Sequence, residues 1–280
     1  MKIGIVGNGY VGRSTALLRC EGVEVLIYDK DDSKCDPLGT KPKDLVSCHL
    51  VFVCVPTPMK PNGECGLRYV RGCIEDLINA GVRRDKIILR STVPVGTSDY
   101  FGVNYMPEFI TEKNWEEDFK FCKQWIVGLE NPNCFSSQKV FNDLFGAASK
   151  AGKIKSGLTL FCTTKEAELI KNCRNAFLAT KVSFFSEIES FCQAKGIDYN
   201  IVRGAVTLDD RITDSHTMIP GHDGKRGYGG TCFPKDINSL SCQFKSAGVP
   251  APIIEASIFR NENIDRKEKD WESNKGRSIL

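Results

Sequence analysis

The chain has 280 residues, 41% hydrophobic and 26% charged, a balance that excludes disordered, collagen-like and coiled-coil classes and fits two globular domains. Its 38 basic and 35 acidic residues leave a net charge of +3, too small an excess to argue for a nucleic-acid partner. No apolar run approaches the roughly 20 residues of a membrane helix, and the opening MKIGIVGNGYVG lacks the apolar core and cleavage site of a secretion signal, so a cytoplasmic protein is expected.

Residues 2–7 (KIGIVG) read as a buried strand, 9–21 as a helix and 23–29 (VEVLIYD) as a second strand. Residues 49–55 (HLVFVCV) form the clearest strand, broken by the PTP at 56–58. A helix follows at 67–80, then strands at 86–90, 103–106 and 124–129, and a helix at 136–149. Near-continuous apolar strands alternating with helices imply a doubly wound parallel sheet. The pattern changes near residue 160. Between Thr163 and Gly196 there is no Pro or Gly, and apolar residues recur at helical spacing, which predicts one helix of roughly 45–50 Å. Thr163 with Glu166 has the spacing of a capping box. A glycine-rich loop spans 220–236, helices are expected at 235–247 and 252–264, and the polar end DRKEKDWESNKGRSIL is expected to fray.

Thirteen cysteines would suggest a disulfide framework in a small secreted chain, but this chain is far larger. No C-x-x-C occurs and only three histidines are present, so no metal site is expected. Cys54 and Cys192, set in apolar runs, read as small core residues.

Gly7, Gly9 and Gly12 spell G-x-G-x-x-G between a strand and a helix. Glycines there let the backbone approach a pyrophosphate, and the helix N-terminus offers positive potential. Asp29, ending the second strand, suits the adenine ribose hydroxyls and repels a 2′-phosphate, which favours NAD; Lys30 and Lys34 argue the other way. Cys232 stands apart from the other cysteines. It lies in GYGGTCFPKD, just before a helix start marked by Pro234, and a thiol at a helix N-terminus beside Lys235 is expected to be rich in thiolate.

GNGYVG, VPTP, STVPVGT (91–97), PEF (107–109), K-x-x-x-N-A-F-L-A (171–179), D-R-I (210–212) and GYGGTCFPKD occur in one order along residues 1–264. Together they resemble the UDP-glucose/GDP-mannose dehydrogenase family. The resemblance implies NAD-dependent oxidation of the C6 alcohol of a nucleotide sugar, with UDP-glucose the first candidate, to a carboxylate through a thiohemiacetal and a thioester on Cys232. It implies that Lys171 and Asn175, four apart on one helix face, stabilise the developing oxyanion, with Asp236 beside them. Thr92 and Glu108 would organise the hydrolytic water, Glu108 as base.

The same resemblance assigns Asn8, Tyr10 and Val11 to the cofactor beside the three glycines, Asp29 and Lys34. Val55, Pro56, Thr57, Ser91, Thr92, Glu112 and Lys235 complete that site. Substrate contacts are assigned to Glu108, Phe109, Glu112, Lys171 and Asn175, to Arg211, and to Lys225, Tyr228, Gly229 and Gly230 of the second glycine loop. Lys225 and Arg226 suit a pyrophosphate.

The expected architecture is α/β: a Rossmann-like domain over 1–160, then a helical domain over 161–265 built on the long helix, and a polar tail over 266–280. A homodimer through that helix is expected from the width of its apolar face. Family members carry a further nucleotide-binding unit, whereas about 16 residues follow the last predicted helix here, so weak discrimination among nucleotide bases is expected. Two alternatives remain. A two-domain hydroxyacid dehydrogenase needs the helical lysine and no nucleophilic cysteine, and a non-catalytic NAD-binding subunit needs neither.

Overall fold

The third predicted strand is apolar from residue 50 to residue 55 because both of its faces are covered. In the computed structural model, which describes residues 1–280, Leu50 and Phe52 enter one core with Ile3, Ile5, Trp125 and Phe145. Val51 and Val53 enter a second core with Ile74, Leu77, Ile87 and Leu89. Alternate side chains of a strand point to opposite faces, so burial on both sides removes any polar alternation from the sequence.

The chain divides into two units. The first comprises residues 1–57 and 67–171. It holds strands β1 (Lys2–Val6), β2 (Glu24–Tyr28), β3 (Leu50–Val53), β4 (Ile87–Leu89), β5 (Asn104–Tyr105), β6 (Trp125–Leu129) and β7 (Thr159–Thr163). They form one sheet in the order β2-β1-β3-β4-β5-β6-β7. Helices α1 (Tyr10–Ala16), α2 (Arg68–Asn79), α3 (Thr97–Phe101), α4 (Trp115–Lys120) and α5 (Phe135–Lys150) connect them.

The Rossmann-like sheet expected from the sequence is present, with one departure from a purely parallel arrangement. β6 pairs antiparallel with β5, through Tyr105 and Gly128, and β7 runs parallel to β6. β7 has no sequence prediction behind it: TLFCT is an edge strand, only partly buried, with threonine at both ends. α1 ends at Ala16, short of the expected residue 21. The Ser14 and Thr15 hydroxyls both donate to the Val11 carbonyl, and the chain tightens into i→i−3 bonds at Leu17 and Leu18.

α6 (Thr164–Lys195) runs for 32 residues, close to the predicted span. Its capping box forms: Thr163 N–H donates to Glu166 Oε2 at 2.7 Å, and Glu166 N–H donates to Thr163 Oγ1 at 3.3 Å. Its first turn lies so close to β6 that a Cβ on Gly128 would stand 2.8 Å from Ala167 Cβ, which is why a glycine sits in the middle of a buried strand.

The second unit comprises residues 58–66 and 172–280. The boundary therefore falls within α6. Ala176, Ala179, Val182, Phe185 and Cys192 of this helix pack with Tyr199 of α7 (Tyr199–Val206), Ile237 and Leu240 of α8 (Phe233–Ser246), and Ile254 and Ile258 of α9 (Pro252–Arg260). The predicted helix to residue 264 changes pitch after Arg260, becoming a π-helical turn over Asn261–Asp265.

The tail does not fray as expected. Trp271 is buried, Arg266 pairs with Asp223 and Asp270, and Met59 exchanges main-chain bonds with Ser278 and Leu280. Its charges find partners within the unit, and its one large aromatic is removed from water. No helix of the protein is long and apolar enough to cross a membrane.

Candidate active site

The first glycine loop sits between β1 and α1. Gly7 has φ +93°, and a Cβ on it would lie 2.7 Å from the Cys54 carbonyl. A Cβ on Gly12 would lie 1.9 Å from the Gly7 carbonyl. Gly9 differs: nothing lies within 4 Å of where its Cβ would be. The loop is therefore packed tight from below and open at its centre.

Asn8 N–H donates to Asp29 Oδ2 at 2.7 Å, and Asp31 N–H donates to Oδ1 at 3.0 Å, so the Asp29 carboxylate is fixed at the end of β2. Asn8 Oδ1 is buried without a hydrogen-bond partner. An open cradle and an oriented carboxylate fit a dinucleotide, with Gly9 and α1 toward the pyrophosphate and Asp29 toward a ribose. Lys34 is exposed and ion-paired to Asp31 at 3.0 Å. Four other expected cofactor residues are joined where β3 and β4 end: Ser91 Oγ donates to the Val55 carbonyl at 2.6 Å, and Thr57 Oγ1 to the Thr92 carbonyl at 2.8 Å.

Lys171 and Glu108 form a buried ion pair at 2.7 Å. Ile110 N–H donates to the second Glu108 oxygen at 3.0 Å, and the Phe109 ring lies 5.6 Å from the ammonium. Burial raises the Glu108 carboxyl, but Lys171, the Ile110 amide and Arg90 outweigh it and hold the group below the usual carboxylate range. Glu112 is exposed. Glu168, one turn before Lys171, was not anticipated. Its carboxylate is buried and accepts from Gly96 N–H at 2.6 Å and Ser98 N–H at 2.8 Å, pinning the loop that carries Ser91 and Thr92. Burial, only partly offset by these amides, raises its carboxyl. A glutamate on the apolar face of a predicted helix was the available signal.

In the second unit Cys232 is the N-cap of α8, and its carbonyl accepts from Asp236 N–H at 2.9 Å. Asp236 is buried. It pairs with Lys235 and accepts from Asn175 Nδ2 at 2.6 Å. Burial lowers the Lys235 ammonium, but Asp236, then Cys232 and Cys65, raise it well above the ordinary lysine value, so it is charged. A thiol, an ammonium, a carboxylate and an amide are thus gathered at the start of one helix.

The second glycine loop is held from behind. Asn261 clasps Tyr228 with two bonds, accepting from its N–H at 2.8 Å and donating to its carbonyl at 2.9 Å. The Arg266 guanidinium crosses Gly229, where a Cβ would stand 2.4 Å from its Cζ. Lys225 pairs with Asp270 at 2.8 Å and Glu268 at 3.2 Å, and Arg226 pairs with Glu189 and Asp265. Arg211 is exposed and paired with Asp209 at 2.5 Å. Neither Asn261 nor Arg266 stood out in the sequence, since Tyr228 and Asp223, which they reach, lie 33 and 43 positions away.

Residues 39–147 match the model of the UDP-glucose/GDP-mannose dehydrogenase family NAD binding domain, and residues 165–263 match the family's central domain. UDP-glucose 6-dehydrogenase TuaD of Bacillus subtilis is 31% identical over 99% of this chain and 68% of its own length. This chain belongs to the UDP-glucose/GDP-mannose dehydrogenase family. The UDP-glucose 6-dehydrogenase of Rickettsia bellii is 29% identical over 94% of this chain and 67% of its own. A UDP-glucose dehydrogenase structure from the archaeon Pyrobaculum islandicum superposes with a TM-score of 0.79 at 26% identity, covering 93% of this chain and 68% of that one. This member of the UDP-glucose/GDP-mannose dehydrogenase family is an NAD-dependent oxidoreductase, spanning about two thirds of the length of these relatives.

Proposed function

We propose that the protein oxidises the C6 alcohol of a nucleotide sugar, UDP-glucose first among candidates, to the carboxylate, consuming two NAD⁺ and one water. Nucleotide-sugar dehydrogenase activity is supported by the family and by its relatives. The cysteine route is supported by one observation above others: Cys232 heads the helix whose first turn carries the buried Lys235–Asp236 pair, with Asn175 bonded to Asp236.

Bound NAD⁺ supplies hydride acceptance. The first glycine loop holds its pyrophosphate, and Asp29 the adenine ribose. Lys171, with Asn175 one turn along α6, stabilises the alkoxide from which the first hydride leaves. The Cys232 sulfur then adds to the aldehyde carbon: an S–C bond forms, the thiol proton passes to solvent water, and the carbonyl electron pair moves onto an oxygen held by Lys171 and Asn175. Loss of a second hydride leaves a thioester. Water adds to it while Glu108 takes one of its protons, the S–C bond breaks with its electron pair on sulfur, and Glu108 returns the proton to restore the thiol as the acid is released.

The test is a turnover assay with NAD⁺ and a panel of UDP-, GDP- and TDP-hexoses. Two NADH per acid, and no acid from Cys232→Ser, are expected. One NADH per substrate with an aldehyde or ketone product, or acid from Cys232→Ser, overturns the cysteine route.

A homodimer through α6 is part of the proposal. Phe177, Phe184 and Phe191 repeat every seventh residue and are 65, 56 and 58% exposed, an unusual stripe to leave in water. Light scattering should give twice the chain mass, and Phe184→Asp should shift it toward one chain; a monomeric wild type refutes the dimer.

A further inference from the structure

Arg90 closes β4 and is 1% exposed. Its main chain is satisfied, its N–H donating to the Val53 carbonyl at 2.9 Å. Its guanidinium is not. Nε has no hydrogen-bond partner, Nη1 reaches the Met106 sulfur only at 3.9 Å, and Cζ stands 5.8 Å from the Phe119 ring centroid. No carboxylate lies within ion-pair distance. An arginine stays protonated inside a protein, so this is a buried cation carrying a large desolvation cost without a close partner.

The guanidinium faces a cavity of about 20 Å³, room for a single water, which Glu108, Asp118, Cys122 and Gln124 also line. Around Arg90 stand Cys54 after β3, Tyr105 in β5, Glu108 after β5, Asp118 in α4 and Cys122 after α4. Burial pushes the Cys54 thiol up to about 11, so it is neutral and offsets nothing. Asp118 is half-exposed and directs Oδ2 to the Thr111 amide and hydroxyl at 2.7 and 2.6 Å. Glu108 is the buried carboxylate that remains, and its direct partner is Lys171.

That partner is also the cation assigned to the substrate oxygen. Once Lys171 turns to the substrate, Glu108 stands in dry surroundings that favour its neutral form, at the step where it must accept a proton from water. We propose that Arg90 is a positioning residue for the reaction: across the water-sized cavity its fixed charge keeps the Glu108 carboxylate ionised while Lys171 is engaged elsewhere. The proposal rests on Glu108 acting as the hydrolytic base.

The experiment measures the slow, hydrolytic phase after the NADH burst as a function of pH in Arg90→Gln and Arg90→Lys. In Arg90→Gln the acid limb should move to higher pH, so that one unit below the wild-type midpoint hydrolysis falls about three- to tenfold further than it does at pH 8. Arg90→Lys should return toward wild type, with NAD⁺ affinity and burst amplitude unchanged in both. A folded Arg90→Gln with an unmoved limb overturns the proposal, whatever its kcat.

If Arg90→Gln does not fold alone, the double variant with Glu108→Gln decides. Removing both charges, with Lys171→Met added so that no buried ammonium is left unpaired, should restore a cooperative melt, and failure to restore it overturns the pairing. If Glu108→Gln leaves hydrolysis untouched, the base assignment fails on its own. The melting cycle still tells whether the two side chains are coupled.

Discussion

The two glycine loops share a residue type and differ in everything around it. At residues 7–12 the backbone is squeezed from below, yet Gly9 opens onto empty space. At 224–230 each cation already has acids: Lys225 has Asp270 and Glu268, Arg226 has Glu189 and Asp265, and Arg266 crosses Gly229 on its way to Asp223. A loop with open space at its centre is prepared for a ligand. A loop whose charges are matched internally is prepared to hold a shape, and a phosphate must compete with carboxylates to use its lysine.

The largest effect should separate the two tight glycines from the open one. Gly12→Ala drives a Cβ into the Gly7 carbonyl at 1.9 Å, and because backbone must move, NAD⁺ affinity should fall at least about a hundredfold, together with a lower melting temperature. Gly9→Ala meets nothing in the protein, so its melt should stay unchanged while NAD⁺ affinity falls about tenfold from a methyl group in the cradle. Titration calorimetry with parallel melts checks both. Equal affinity losses would mean that the open cradle is not where the cofactor rests.

Next is the support of the second loop. Arg266→Ala leaves Asp223 and Asp270 without their shared, largely buried partner, and should cost about 3 kcal/mol in denaturant unfolding. Nucleotide-sugar affinity should fall as Gly229 loses its backing, with NAD⁺ affinity preserved. A loss of NAD⁺ affinity of the same size would show that the effect is not confined to this loop.

A third test uses two buried acids of the first unit with opposite shifts. The folded Glu108 carboxyl lies below its unfolded value of about 4.3, so it stabilises fully above that pH, and the contribution is lost as pH falls through the lower folded value. Glu168 lies above its unfolded value, so stability declines as pH rises through that higher folded value. Glu108→Gln should therefore flatten the acid-side slope of melting temperature against pH, and Glu168→Gln the slope at higher pH. Parallel curves for all three proteins would refute both assignments.

The smallest effect belongs to Lys225. Its ion pairs are substantially exposed, so Lys225→Ala should leave the denaturation midpoint nearly unchanged. If the ammonium leaves its acids for phosphate, nucleotide-sugar affinity should drop about three- to tenfold, more so at low salt. Unchanged affinity would assign Lys225 to shape alone.

What was legible in the sequence was local. The strand-to-helix glycines, the Thr163–Glu166 box, the position of Cys232 before Pro234 and the four-residue step from Lys171 to Asn175 each state their geometry within a few residues. The reversal at β6 was not legible, because five apolar residues, WIVGL, read the same in either direction. Nor was the ordered tail. Its polar composition resembles a solvated end until Arg266 meets Asp223 and Trp271 is buried, and those contacts exist only once distant segments meet. Arg90 was passed over for a related reason: as the polar end of an apolar run, it gives no sign that its charge is turned inward.

The pairing of Met59 with Ser278 and Leu280 has a consequence for how the molecule is made. Residues 58–66 leave the ribosome directly between β3 and α2, yet the backbone they bond to emerges roughly 220 residues later, and contacts of such separation form late. During synthesis the sheet can assemble around a looped-out segment that waits for its partner. Between the third strand and the second helix, a nascent chain should therefore stay open to protease until residues 278–280 arrive, and then close.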